Sequence, residues 1–256
     1  MGMLRNWRRR RVLARHAIEP ALWRRVTRPL AFLAGLSEDE RTRLESLTLL
    51  FLAEKELTAA AGFELSERVR LSIAVQACLP ILNLGLDWYE GWVGVIVYPS
   101  DFRVNRNEVD ADGVVHEWED ELVGEAFPGG PVVLSWDAVA SSGAEDEPMN
   151  VVLHEFAHKL DEKSGEPDGV PPLHVDMSRR EWVRTMESAY EDFCRRVERG
   201  ETTLIDPYAA EHVAEFFAVA SETFFESPNG LKKNYWALYD QFARFYRQDP
   251  ARRLKS

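Results

Sequence analysis

The chain is poor in cysteine, in basic charge and in long apolar runs. Of its 256 residues only two are cysteines, Cys78 and Cys194. They stand far apart in apolar, helix-forming surroundings, which excludes a disulfide framework and predicts two reduced, buried thiols. The longest apolar run, Leu47 to Ala53, is interrupted by Thr48 and falls well short of the roughly 18 residues that cross a membrane; a soluble protein is expected. The 31 Lys and Arg stand against 43 Asp and Glu, a formal net charge of −12. A protein that binds nucleic acid by neutralising phosphates needs a basic face, so no direct nucleic-acid partner is expected. What is abundant is apolar and aromatic side chain, 45% and 11% of residues, which suffices for a packed core and excludes wholesale disorder.

The basic charge that exists is concentrated. Residues 1–30 hold nine arginines and one acid, Glu19, a net +8 that leaves −20 for the rest of the chain. The run Arg8 to Arg11 has the look of a twin-arginine export signal, but His16, Glu19, Pro20, Arg24 and Arg25 interrupt any apolar segment behind it, as an export signal would not allow. Residues 1–30 therefore read as a basic N-terminal arm of a cytoplasmic protein. Such an arm could touch RNA, anionic lipid or an acidic partner; a solvated tail or a clamp on the protein's own acidic body is the simpler reading, and no membrane partner is expected.

Periodicity supplies the elements. Ser37 and Glu40 have capping-box spacing ahead of Leu44, Leu47, Leu50 and Phe51, and Ser66 caps a second helix carrying Val69, Ile73 and Ala77 that Pro80 should end. The β-branched and aromatic runs from Trp92 to Tyr98 and from Val132 to Trp136 predict strands, with a polar, acidic hairpin region between them that includes Gly113 to His116. Ser141 to Pro148 reads as a loop, and a helix starts near Met149. Ser178 and Glu181 open a further helix that Gly200 closes; later helices span about Glu211 to Glu226 and Tyr235 to Arg247, separated by a break at Ser227-Pro228-Asn229-Gly230. The fold class is α+β, with a small β-sheet between helical groups and a mostly helical C-terminal part. Residues 31–256 are expected to form one domain, helical over 31–90 and carrying the sheet and the active centre over 91–256.

The chemistry is concentrated in Val151-Val152-Leu153-His154-Glu155-Phe156-Ala157-His158. Residues four apart project from one face of a helix, so His154 and His158 can place imidazole nitrogens on one metal ion with Glu155 beside them. Two histidines and a carboxylate would leave a fourth tetrahedral position for water, whose proton Glu155 can accept. The metzincin extension fails, because position 161 is Asp and position 164 is Ser where Gly and His or Asp are needed. A third ligand must come from elsewhere. Glu215 and Glu222 are both candidates: they lie seven apart on an otherwise apolar helix, where a carboxylate needs a partner. One would hold zinc and the other would accept the free N–H of a ligand histidine. Asp161 is a further supporting or helix-packing residue; His174 and His212 are possible ligands too, but their polar surroundings favour a solvated or loop histidine; and Tyr208 is either an oxyanion donor or core packing beside Pro207.

These residues carry a resemblance. Asn150 to Asp161, the later Asp206-Pro207-Tyr208-Ala209-Ala210, and Ala214 to Glu222 with Phe224-Phe225 resemble the Mlc titration factor A family of bacterial cytosolic zinc-dependent peptidases. Their catalytic domain is similar to that of anthrax lethal factor. The resemblance extends over most of the chain, through Gly130 to Trp136 and Phe245 to Pro250. It implies a zincin-like fold, one zinc ion held by His154, His158 and Glu215, Glu155 as general base and Tyr208 as transition-state stabiliser. It also implies aminopeptidase-like hydrolysis of short peptides, and a second partner, a glucose-responsive transcriptional repressor of the Mlc type; a monomer is expected. Where family members have a proline shortly before the ligand Glu, this chain reads Glu211-His212-Val213, which brings His212 close to the site. The alternative to an enzyme is a regulator-sequestering factor with a structural or vestigial zinc.

Overall fold

A computed structural model describes residues 2–109, 115–142 and 150–253. The first two helices arise where the sequence suggested only a basic arm: α1 spans Gly2–Arg15 and α2 spans Pro20–Thr27. Glu19 caps α2, its carboxylate accepting from the N–H groups of Ala21 and Leu22, and buried Val26 fixes the helix on the body. α3 (Glu38–Glu54) opens with the complete capping box of Ser37 and Glu40. α4 (Glu67–Cys78) is capped by Ser66 and stops two residues before Pro80, as a residue lacking an N–H and clashing with the preceding turn requires.

Four short strands form the main sheet: β1 (Glu56–Ala59), β2 (Gly94–Tyr98), β5 (Gly124–Ala126) and β6 (Val132–Ser135), in the order β1-β2-β6-β5. β1, β2 and β6 run parallel, with Leu57 opposite Val95 and Val95 opposite Val132, while β5 returns antiparallel on β6 and forms the sheet edge. A separate hairpin, β3 (Phe102–Val109) with β4 (Val115–Leu122), confirms paired strands in the acidic region; Gly113 lies outside the described residues. Of the loop expected over 141–148, residues beyond Ser142 also lie outside them, and Ser141 itself ends a short helix, α5 (Trp136–Ser141).

The C-terminal part is helical: α6 (Val151–Asp161), α7 (Arg179–Glu198), α8 (Val213–Glu226), α9 (Pro228–Asn234), α10 (Trp236–Tyr246) and α11 (Pro250–Arg253). The expected break at 227–230 is a change of direction, because Pro228, having no N–H to satisfy, starts α9 at once. Every residue of α6 except His158 is buried. Its back face meets Phe51, Tyr89 and Trp92, whose rings lie 5.7, 5.1 and 5.6 Å from that of Phe156. A second aromatic group, Trp182, Phe217, Phe242 and Phe245, ties α7, α8 and α10 together. Cys78 is buried, but Cys194 is only half-buried: the inward stripe of α7 runs through Trp182, Met186, Ala189 and Phe193, and Cys194 sits one position past it. Among the described residues no helix is long and apolar enough to cross a membrane.

Candidate metal centre

Asn150 starts the site. Its side-chain oxygen accepts from the Leu153 N–H and so caps α6, while its amide nitrogen donates to Gln76 and Glu226, each at 2.9 Å. The backbone N–H of Asn150 donates to Glu222 Oε2 at 2.6 Å. α6 is thereby locked to α4 and α8 at its first residue, and its next turn delivers His154 and His158 to one face.

α8 packs alongside α6 and brings up Glu215 in its first turn. Nε2 of His154 lies 3.2 Å from Nε2 of His158, and Oε2 of Glu215 lies 3.1 and 3.4 Å from those two atoms. Ligand atoms about 2.0–2.1 Å from a tetrahedral zinc are about 3.3 Å from one another, so this near-equilateral triangle has the size of one face of such a coordination shell. His154, His158 and Glu215 form the one group of three potential ligands among the described residues.

Glu222, one of two carboxylates the sequence offered as a ligand, instead faces the other edge of His154: its Oε1 is 2.8 Å from Nδ1. A carboxylate accepts, so Nδ1 carries the proton and Nε2 keeps its lone pair for a metal. Burial pushes the Glu222 carboxyl up, and the donors on His154 and Asn150 pull against that. For Glu215 burial acts upward too, but the two imidazoles win and hold its carboxyl well below the usual range. Burial disfavours charge on His154, yet Glu215 and Glu222 together hold its pKa well above the ordinary value. A proton and a metal ion compete for the same Nε2.

Glu155 is buried beside the triangle, and burial pushes its carboxyl up to about 8, with His154 opposing and Glu215 and Glu222 adding. It faces β5 across a very narrow gap: a Cβ on Gly124 would fall 2.6 Å from Glu155 Oε1 and 2.5 Å from a Val151 methyl. Tyr208 stands on the 3-10 turn Pro207–Ala210, 44% exposed, with its ring 6.2 Å from that of His154. His212 caps α8, its Nδ1 accepting from the Ala214 N–H at 3.2 Å. The ring is exposed, as the sequence suggested, and it stands near the site: with Tyr208, Glu155 and the triangle it lines a cleft of about 450 Å³ that β5 borders through Gly124, Glu125 and Ala126. His174 is elsewhere, its Nε2 2.8 Å from the Phe245 carbonyl and its ring against Trp88. Asp161 anchors the loop behind α6 by accepting from the Gly169 N–H at 2.8 Å, and burial pushes its carboxyl up to about 6.

Residues 4–247 match the family described as glucose-regulated metallo-peptidase M90. The chain belongs to this family. The M90 family is a metallopeptidase family, and membership implies a divalent metal, typically zinc. Relatives named Mlc titration factor A are similar over nearly the whole chain. That of Cronobacter sakazakii is 36% identical over 245 residues, covering 93% of this chain and 90% of the relative. Those of Enterobacter sp. (strain 638) and Escherichia coli (strain 55989 / EAEC) are 38% and 37% identical, covering 87% and 88% of this chain and 84% and 85% of the relatives.

The roles of three residues of this M90 chain escaped the sequence reading. Asn150 had a visible signal, since an Asn directly before an apolar helical run is an N-cap. Gly124 had none, because its requirement comes from the approach of another element. Lys159 had none either, and its side chain is fully buried, its Nζ donating to the carbonyls of Phe127 and Gly130 and to Glu162, at 2.6, 3.0 and 2.9 Å. It fastens the β5–β6 turn to α6.

Proposed function

We propose that the chain is a zinc-dependent peptidase acting as a cytoplasmic monomer, with its single ion held by His154, His158 and Glu215. The observation that carries this reading is the triangle of His154 Nε2, His158 Nε2 and Glu215 Oε2, with edges of 3.1–3.4 Å. When bound there, zinc supplies a Lewis acid that lowers the pKa of water towards 7 and polarises a peptide carbonyl. Glu155, at the floor of the cleft, accepts the proton of the attacking water and returns it to the departing amine. Tyr208 donates its phenol O–H to the oxygen that becomes negative in the transition state. Glu222 keeps the proton of His154 on Nδ1, so that the imidazole stays neutral towards the metal.

β5 suits an extended peptide. It is the edge of the sheet and borders the cleft, so its outer backbone groups can pair with a substrate strand. A short peptide with a free amino end, as an aminopeptidase takes, fits a cleft of about 450 Å³ whose walls include Glu125, Glu162 and Glu166.

The decisive experiment is removal and return of the metal. Dialysis against a chelator should abolish hydrolysis of short peptides, stoichiometric zinc should restore it, and Glu215→Ala should neither retain zinc nor recover. Full activity in protein shown by metal analysis to be zinc-free would overturn the proposal.

The printed name of the relatives, Mlc titration factor A, favours a second reading, in which this chain binds a repressor of the Mlc type. Binding and hydrolysis are compatible. A purely sequestering protein with a structural zinc is disfavoured by the site itself, since structural sites are closed by four protein ligands and this one, among the described residues, offers three beside a buried carboxylate.

A further inference from the structure

The metal cleft is not the largest cavity of this chain. A groove of about 890 Å³ runs along α1 to the end of α3, lined by Leu4, Trp7, Arg8, Arg11, Arg15 and other residues. α1 carries six arginines and no acid. Its two sides do different things. Arg5, Arg9 and Val12 are partly buried and form the inward stripe. Arg5 pairs with Asp87 and Glu90, and Arg9 with Glu54 and Asp87. Asp87, Glu90 and Glu54 are thereby taken up by the inward arginines. On the outward side Leu4, Arg8, Arg11 and Arg15 fall on a single stripe, being spaced by four, three and four residues, and Met3 and Trp7 fall on the next. Met3, Leu4 and Trp7 are 90%, 70% and 57% exposed. The Arg11 guanidinium lies 5.4 Å from the centre of the Trp7 ring. Among the described residues no acid pairs with Arg8, Arg10, Arg11 or Arg15.

We propose that α1 docks this protein on the surface of an anionic phospholipid bilayer. Met3, Leu4 and Trp7 enter the interface, and the outward arginines take the lipid phosphates. The helix is too short and too polar to span. A bilayer surface accepts both classes of side chain at one depth, apolar groups at the acyl boundary and guanidinium groups among the phosphates. An acidic polypeptide would satisfy the arginines but would need its own apolar pocket for side chains as exposed as Met3. The −20 carried by residues beyond 30 does not oppose this, because charges further than about 8 Å are screened at physiological salt. This departs from the sequence expectation of no membrane partner, and it is independent of whether the chain hydrolyses peptides.

The test is flotation of the full chain with vesicles of phosphatidylglycerol and phosphatidylcholine in equal parts, with phosphatidylcholine vesicles as the neutral control. Binding to the acidic vesicles alone is expected, with loss of binding in about 0.5 M salt. Two variants, R8E/R11E/R15E and L4S/W7S, should each lower the partition coefficient at least about tenfold, with unchanged circular dichroism and thermal midpoint. Should either variant fail to fold, the comparison of vesicle composition and salt on the wild type decides alone. No flotation of wild type with acidic vesicles, or equal flotation with neutral ones, would overturn the proposal. So would binding of soluble poly-L-glutamate without vesicle binding, which assigns the groove to an acidic polypeptide.

Discussion

Gly124 and Glu155 are in contact across the boundary between β5 and α6, so close that a methyl group on the glycine would meet Glu155 Oε1 at 2.6 Å. The edge strand thus fixes the position of the proposed base. Gly124→Ala should push the carboxylate or the strand aside, leaving zinc bound while kcat/KM for peptide hydrolysis falls by about 100-fold, the scale of a displacement near 1 Å at a reacting group. Steady-state kinetics beside metal analysis checks this; unchanged kinetics would mean that Glu155 is not held from β5.

Glu222 acts through His154. Its replacement by Gln keeps the size of the side chain but removes the carboxylate that fixes the Nδ1 proton at 2.8 Å. Zinc affinity should fall by about 10- to 100-fold, measured by competition with a chelating dye, while the Glu215→Ala variant should lose far more. Equal losses in the two variants would contradict the division of roles between these carboxylates.

Glu226 supplies a pH dependence. Burial pushes its carboxyl up to about 7, with the Asn150 amide opposing and Glu222 adding. Below pH about 4.5 both folded and unfolded chains hold the proton and the full stability is present. Between 4.5 and 7 the unfolded chain releases the proton while the folded chain keeps it, so stability is lost as pH rises and levels off above 7. Glu226→Gln keeps an acceptor for Asn150 and should remove this slope, so that the stability difference between variant and wild type grows across that window. Urea unfolding of the two proteins in chelator, at several pH values, measures it; a parallel pair of curves would refute the assignment.

The parts of the molecule legible in the sequence are those where local chemistry and burial agree. The capping box at Ser37 and Glu40, the stop before Pro80 and the two histidines four apart all depend on residues within one turn of each other. Glu215 and Glu222 were legible as a pair, because carboxylates on an apolar helix need partners, but their roles depend on how α8 lies against α6 and so could not be separated by spacing. β5 has three residues, too few for a period, and Gly124 matters only through an element that follows it in the chain. The clamp of the basic arm on the acidic body was legible from charge alone, and Arg5 and Arg9 make it with Asp87, Glu90 and Glu54; that α1 is a helix was not, because six arginines in fourteen residues outweigh its few apolar side chains.

Lys159 should prove structural. Lys159→Met leaves the Phe127 and Gly130 carbonyls without their donor, at about 1–3 kcal/mol for each unsatisfied group. Denaturant unfolding should show a loss of about 2–6 kcal/mol, with zinc still bound below the transition. A neutral substitution would mean that water replaces the ammonium.

The acidic walls of the cleft, Glu125, Glu162 and Glu166, should repel acidic peptides. At low salt, kcat/KM should rank basic above neutral above acidic peptides of equal length, and the ranking should narrow as salt rises. Faster turnover of acidic peptides at low salt would contradict the field drawn here.

The proposed function stands on Glu155 as the group that moves the proton in a hydrolysis at the His154, His158 and Glu215 site. Its most direct test is the peptide hydrolysis rate of Glu155→Gln at zinc occupancy equal to wild type. Retained zinc with a rate lowered by about 10²- to 10⁴-fold is expected; an undiminished rate in the zinc-loaded variant would mean that Glu155 is not the base.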